Sequence, residues 1–179
     1  VIDGTKLIAV ALLIDNDPWD VLLNKVKIEK AVPIGAILTL PATGTEMNGN
    51  SVVSNATTKE KFSFGSRLVM PKFSILDPQV CYSLPDIQIA NGVVDAFVHV
   101  MEQYLTYPVN AMIQDSFAES ILQTLVEVGP LVLREKNNYE YASNFMWAAT
   151  VALNGLIGSG VPNDWATHQI GHEITALHG

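Results

Sequence analysis

Two pairs of residues in this chain have the types and spacing to bind a cation or move a proton. The apolar stretch "GVVDAFVHVMEQY" (Gly92 to Tyr104) carries Asp95 and His99, and "THQIGHEITALHG" (Thr167 to Gly179) carries His168 and His172. Residues four apart in a helix share a face. Each pair therefore presents its polar groups together on one side. Bringing the two faces together would gather Asp95, His99 and His168 around one point. A carboxylate with imidazoles suits a divalent metal such as zinc or ferrous iron. The plainer reading of Asp95 and His99 is a local hydrogen bond or ion pair on a helix surface. The last cluster is not a zinc-protease signature, because "HEITALH" has the wrong interval for H-E-x-x-H.

A second candidate is the loop "LPATGTEMNGN" (Leu40 to Asn50), rich in Gly, Thr and Asn. Such a loop can offer backbone N–H groups and hydroxyls to a nucleotide. Its rival reading is a helix start, since Thr43 and Glu46 have the spacing of a capping box. Lys61 falls in an expected hairpin, where simple solvation would explain it.

These residues need elements to hold them. Residues 3–14 have a helical pattern, with Asp3 as a possible cap. A second helix start is expected in "NDPWDVLL" (Asn16 to Leu23), with Pro18 in its first turn. Residues 32–41 read as a short buried strand, residues 72–78 as another short strand, and residues 51–64 as a hairpin. After Pro85 the texture becomes helical, with breaks expected near Pro108, at Gly129-Pro130 and within residues 135–140. The expected division is a mixed strand-and-helix part, 1–84, and an all-helical part, 85–179. Phe97, Trp147 and Trp165 are expected in the core or in a pocket wall. Glu102, close to one turn past His99, could support a ligand from behind, but a solvated or structural role is expected.

The chain has 179 residues, is 49% hydrophobic and 16% charged, and has a net charge of −8. It lacks a Lys/Arg cluster, so it has no nucleic-acid footprint. The longest unbroken apolar run, "LIAVALLI", is too short to span a bilayer, and a membrane role is not expected. A single cysteine, Cys81, cannot form an internal disulfide and fits a reducing cytoplasm. It is expected to be a small buried hydrophobe. The first residue is Val1 rather than Met, and a piece cut at both ends is expected.

Taken together, "LTLPATGTEMN", "LDP…LP", "ANGVVDAFVHVMEQY" and "NGLIGSGVPNDWATHQIGHEITALHG" resemble the iron-containing alcohol dehydrogenase family, in particular its butanol dehydrogenase and aldehyde reductase branch. The resemblance runs over essentially the whole chain. It implies an α+β fold of the dehydroquinate synthase kind. Residues 1–84 would be the end portion of an α/β dinucleotide-binding domain, and residues 85–179 an all-α metal-binding domain. It implies a metal-dependent oxidoreductase that interconverts aldehydes and primary alcohols with NAD or NADP, as a cytoplasmic homodimer when full-length. By motif position it implies Asp95, His99 and His168 as ligands of Fe2+ or Zn2+. It implies His172 as the active-site histidine, either relaying a proton or forming the site wall. Asp3, Thr39, Thr43, Asn48 and Lys61 fall in segments that contact the nucleotide. The family's Gly-Gly-Gly-Ser diphosphate turn would precede Val1, and its fourth ligand, a histidine, would follow Gly179; His178 is not that ligand. Two rivals remain: a non-catalytic metal-binding or interaction remnant of such a dehydrogenase, and, as a poor match, a carboxylate-bridged di-iron bundle, for which the repeated Glu-x-x-His pairs are missing.

Overall fold

The computed structural model describes residues 1–178 as helices joined by short strands. They are α1 (Ile2–Ala11), α2 (Trp19–Leu22), β1 (Gly35–Ile37), β2 (Asn50–Asn55), β3 (Glu60–Gly65), β4 (Phe73–Ile75), α3 (Asp86–Tyr104), α4 (Met112–Arg134), α5 (Tyr139–Ala152) and α6 (Ala166–His178). β2 and β3 form the expected antiparallel hairpin, with Ser54 opposite Lys61. β1 and β4 make a second two-stranded sheet.

These elements form two compact units that interleave along the chain, whereas the texture of the sequence suggests one cut near Leu84. The first unit contains residues 1–36, 45–74 and 166–179; the second contains 37–44 and 75–165. In the first unit, Val10 of α1, Val21 and Leu22 of α2, Phe64 of β3 and Val69 form a buried cluster. Trp19 and Phe62 stack at a tilt beside it, their ring centroids 5.9 Å apart. Within the same unit α6 lies against β3.

The second unit is a helical core. Ile89, Ala96 and Val100 of α3 meet Ala118, Ile121 and Leu125 of α4 and Phe145, Ala148, Ala149 and Ala152 of α5. Leu38, Cys81 and Met146 form a smaller buried group. Burial, helped by the Asp77 charge, pushes the Cys81 thiol up to about 11, so Cys81 behaves as the inert core residue expected. By length, and with a mean hydropathy of 1.2 in its most apolar window, α4 would pass as a membrane-crossing helix. In this unit it is a packed helix whose Ala118, Ile121, Leu125, Gly129 and Val132 are buried.

Several boundaries differ from the sequence expectations. Helix α1 starts at Ile2, so Asp3 lies inside its first turn and makes no cap bond to α1. The stretch around Thr43 and Glu46 is not an α-helix start; Thr45–Met47 is a single 3-10 turn. The Gly129-Pro130 pair does not break α4, which continues to Arg134. The proline removes one backbone donor, but tertiary packing outweighs that loss. Gly129 is needed for contact rather than for a turn, since a Cβ there would lie 2.8 Å from Val93 Cγ1 on α3.

The break before α5 is where it was expected. The Asn138 side chain caps this helix, accepting from the N–H groups of Glu140 and Tyr141 at 3.1 and 3.4 Å. Replacing a capping Asn by Ala removes partners from two orphan donors and costs about 1 kcal/mol. Asn138→Ala should therefore lower the urea midpoint of the full-length protein without changing the slope of its transition.

Candidate metal centre and nucleotide loop

In the second unit, the candidate centre is carried by α3. This helix buries Ile89, Gly92, Ala96, His99, Val100, Glu102 and Gln103. Asp95 and His99 sit on consecutive turns, with His99 Nδ1 3.9 Å from an Asp95 carboxylate oxygen. The His99 side chain is 5% exposed and that of Asp95 34%. The imidazole is thus enclosed while the carboxylate beside it keeps an open edge. The backbone around it is fixed. Gln103 Nε2 donates to the carbonyl of His99 at 2.6 Å and to that of Ala152 at 2.9 Å, tying α3 to the end of α5. The Asp164 N–H donates to the carbonyl of Glu102. Next in the chain, Trp165 turns its ring edge-on to His99, with centroids 6.2 Å apart. Trp165 thus forms part of the wall around the His99 imidazole.

The loop carrying Thr39 and Thr43 also belongs to this unit and rests on α3. Pro41, Ala42 and Gly44 are buried, whereas Thr39 and Thr43 are exposed. Close approach explains Gly92. A Cβ there would collide with the carbonyl oxygen of Pro41 and lie 3.2 Å from Phe145 Cζ. Gly44 has φ +57°, and its Cβ would lie 3.2 Å from the Thr150 carbonyl of α5. Both threonines therefore stand on a loop seated, one turn before Asp95, on the helix that carries Asp95 and His99.

The first unit holds the other candidates. His168 and His172 are both half-buried on α6, their rings edge-to-face with centroids 6.4 Å apart. Lys61 is half-buried on β3. Asp3 and Asn48 face inward. The Asp3 carboxylate accepts from the Thr45 hydroxyl and from the Val52 N–H at 2.8 Å. The Asn48 side-chain oxygen accepts from the Asn50 N–H at 2.9 Å and from Lys6 Nζ at 3.2 Å. Sequence reasoning missed Lys6 and Thr45. The available signal is that Asp3 and Lys6 are the only charged residues of the otherwise uncharged helix α1.

The donor set on α3 fits a divalent cation. A carboxylate oxygen and an imidazole nitrogen, on one face and held by a buried backbone, are borderline-hard ligands of the kind iron and zinc accept.

Comparison with known proteins shows the family. Residues 1–78 match the family model described as iron-containing alcohol dehydrogenase, and residues 89–179 match that of the Fe-containing alcohol dehydrogenase family, C-terminal. The chain is 58% identical over 182 residues to the NADPH-dependent aldehyde reductase YqhD of Escherichia coli, covering 100% of this chain and 47% of that protein. It is 40% identical to the NADH-dependent butanol dehydrogenase A of Clostridium acetobutylicum, covering 99% of this chain and 46% of that protein. Among solved structures, that of E. coli YqhD superposes with a TM-score of 0.97 at 56% identity, covering 99% of this chain and 46% of that one. A butanol dehydrogenase A from Thermotoga maritima gives 0.94 at 40% identity, covering 99% and 45%. The chain thus spans about half the length of the relatives it matches.

Proposed function

Because this chain belongs to the iron-containing alcohol dehydrogenase family, we propose that its protein interconverts aldehydes and primary alcohols by hydride transfer with NAD or NADP, at a divalent metal, iron or zinc. The observation that carries the proposal is the Asp95 and His99 pair on one face of α3, the imidazole buried and the carboxylate half-buried beside it. The names of its relatives, an NADPH-dependent aldehyde reductase and NADH-dependent butanol dehydrogenases, support the substrate class and both forms of the cofactor.

In this reading Asp95, His99 and His168 hold the metal. When bound, the ion supplies Lewis acidity toward a carbonyl or alkoxide oxygen. The residues of the chain do the rest. The loop bearing Thr39 and Thr43 is fixed against α3, which ties nucleotide position to the ligand helix. Asn48, Asp3 and Lys61 lie in the remaining nucleotide-contacting segments of residues 1–84. Trp165 limits the mobility of the His99 ring. A bound nicotinamide would supply the hydride for the carbonyl carbon, and the oxygen would then need a proton. His172, one turn beyond His168, relays that proton.

The test is nicotinamide oxidation by the full-length protein, loaded with Fe2+ or Zn2+ and given short aldehydes. Turnover is expected with at least one metal and one nucleotide; none under any combination would leave the non-catalytic reading. His172→Gln separates relay from wall. A relay that is lost costs about 10²–10⁴-fold in turnover and removes one limb of the pH–rate profile. A wall residue would raise KM and leave the shape of the profile intact.

A further inference from the structure

Lys6 is the largest of the fully buried side chains, at 0% exposure. A lysine this deep needs a reason, because an ammonium is costly to desolvate. Its Nζ has four oxygen partners: Thr45 Oγ1 at 2.7 Å, the Asn48 carbonyl at 2.9 Å, Asn48 Oδ1 at 3.2 Å and the Asn50 carbonyl at 2.6 Å. All four act as acceptors toward it, since the Thr45 hydroxyl proton is given to Asp3. Only the protonated amine supplies three donors to such a cage. Burial lowers Lys6 to about 8 against the pull of the Asp3 and Glu46 carboxylates, so the ammonium form still dominates at neutral pH.

The partners lie 39–44 residues away in sequence, all within residues 45–50. Asp3 grips the same segment from the previous turn of α1, through Thr45, the Ser51 hydroxyl and the Val52 N–H. A 3-10 turn of three residues has little stability of its own. Its conformation is therefore held largely by α1, with further bonds from the Ser74 hydroxyl to the Glu46 carbonyl and from the Ser66 N–H to the Gly49 carbonyl.

We propose that Lys6 is a positioning residue for the nucleotide: it clamps the Thr45–Asn50 segment to α1, so that the segment keeps its nucleotide-binding shape without having to be ordered by the ligand. This rests on the reading of the protein as a nicotinamide-nucleotide enzyme. Pre-organisation of this kind acts on affinity rather than on the chemical step. Asp3 and Asn48 then contribute through the loop they hold as well as through any atom they present.

The experiment uses full-length protein and titrates NADPH and NADH by nicotinamide fluorescence, with and without metal. Lys6→Met keeps the stem and removes the donors; Thr45→Val removes the hydroxyl shared by Lys6 and Asp3. We expect the nucleotide Kd to rise at least tenfold in Lys6→Met and about threefold in Thr45→Val, in line with a loss of one to several net hydrogen bonds. KM for nucleotide should rise in parallel, and kcat at saturating nucleotide should change by less than about threefold. If Lys6→Met does not fold, Thr45→Val decides. Wild-type Kd in the folded variants, or a fall in kcat with KM unchanged, would overturn the clamp. A wild-type protein that binds neither nucleotide would instead overturn the enzyme reading itself.

Discussion

Asp95→Ala should abolish most turnover, lowering kcat/KM of the full-length protein by about 10³-fold or more, while leaving the fold nearly as stable as before. The magnitude follows from the two roles Asp95 can have. If it is only the partner of His99 across one helical turn, its loss costs a few tenths of a kcal/mol of stability and nothing in rate. If it is a ligand, its loss removes Lewis-acid stabilisation worth several kcal/mol, and each 1.36 kcal/mol is a factor of ten. His99→Ala and His168→Ala should behave alike, and double variants should be no worse than singles, because ligands to one ion act as a unit. Steady-state kinetics on the three single variants and one double variant distinguish the cases. An Asp95→Ala protein with near wild-type kcat/KM would remove the carboxylate from the site.

Gly92→Ala is expected to be among the most damaging conservative changes outside the ligands. The added methyl meets the backbone carbonyl of Pro41, which no rotamer change can relieve, and the Phe145 ring at 3.2 Å. Overpacking of this kind costs about 1–3 kcal/mol. The loop of Thr39 and Thr43 must also lift from α3 by the width of that contact, so nucleotide KM should rise together with the loss of stability. Gly4→Ala on α1 is the control. An added methyl there has nothing within 4 Å, and the exchange should stabilise by up to about 1 kcal/mol through helix propensity. Urea midpoints and nucleotide KM measured on both variants test the pair. A Gly92→Ala protein as stable as wild type would mean that the loop does not rest on α3 as described.

Much of the candidate site is legible in the sequence because its parts are local. Asp95 with His99, and His168 with His172, are recognisable from helical periodicity alone, and each pair lies on one helix as that periodicity requires. The hairpin around Lys61 is equally local, a run of alternating residues with a polar turn. What escapes the sequence is what depends on distant partners. Thr43 and Glu46 have the letters of a capping box, but the segment is pulled into a 3-10 turn by hydrogen bonds to Asp3 and Lys6, some forty residues earlier. Gly129-Pro130 looks like a stop, yet the glycine serves the contact with Val93 and the helix runs on. Lys6 itself reads as an ordinary helix lysine until its four oxygen partners are in place. The interleaving of the two compact units is invisible for the same reason, since residues 37–44 and 166–179 join their units through contacts remote in sequence.

The most direct measurement is the metal content of purified full-length protein, wild type beside Asp95→Ala and His168→Ala, by elemental analysis after exhaustive desalting. The account predicts about one divalent ion per chain in the wild type, and less than about a tenth of that in each variant, since a structural or catalytic ion is held by its whole ligand set. Wild-type metal content retained in both variants would contradict it.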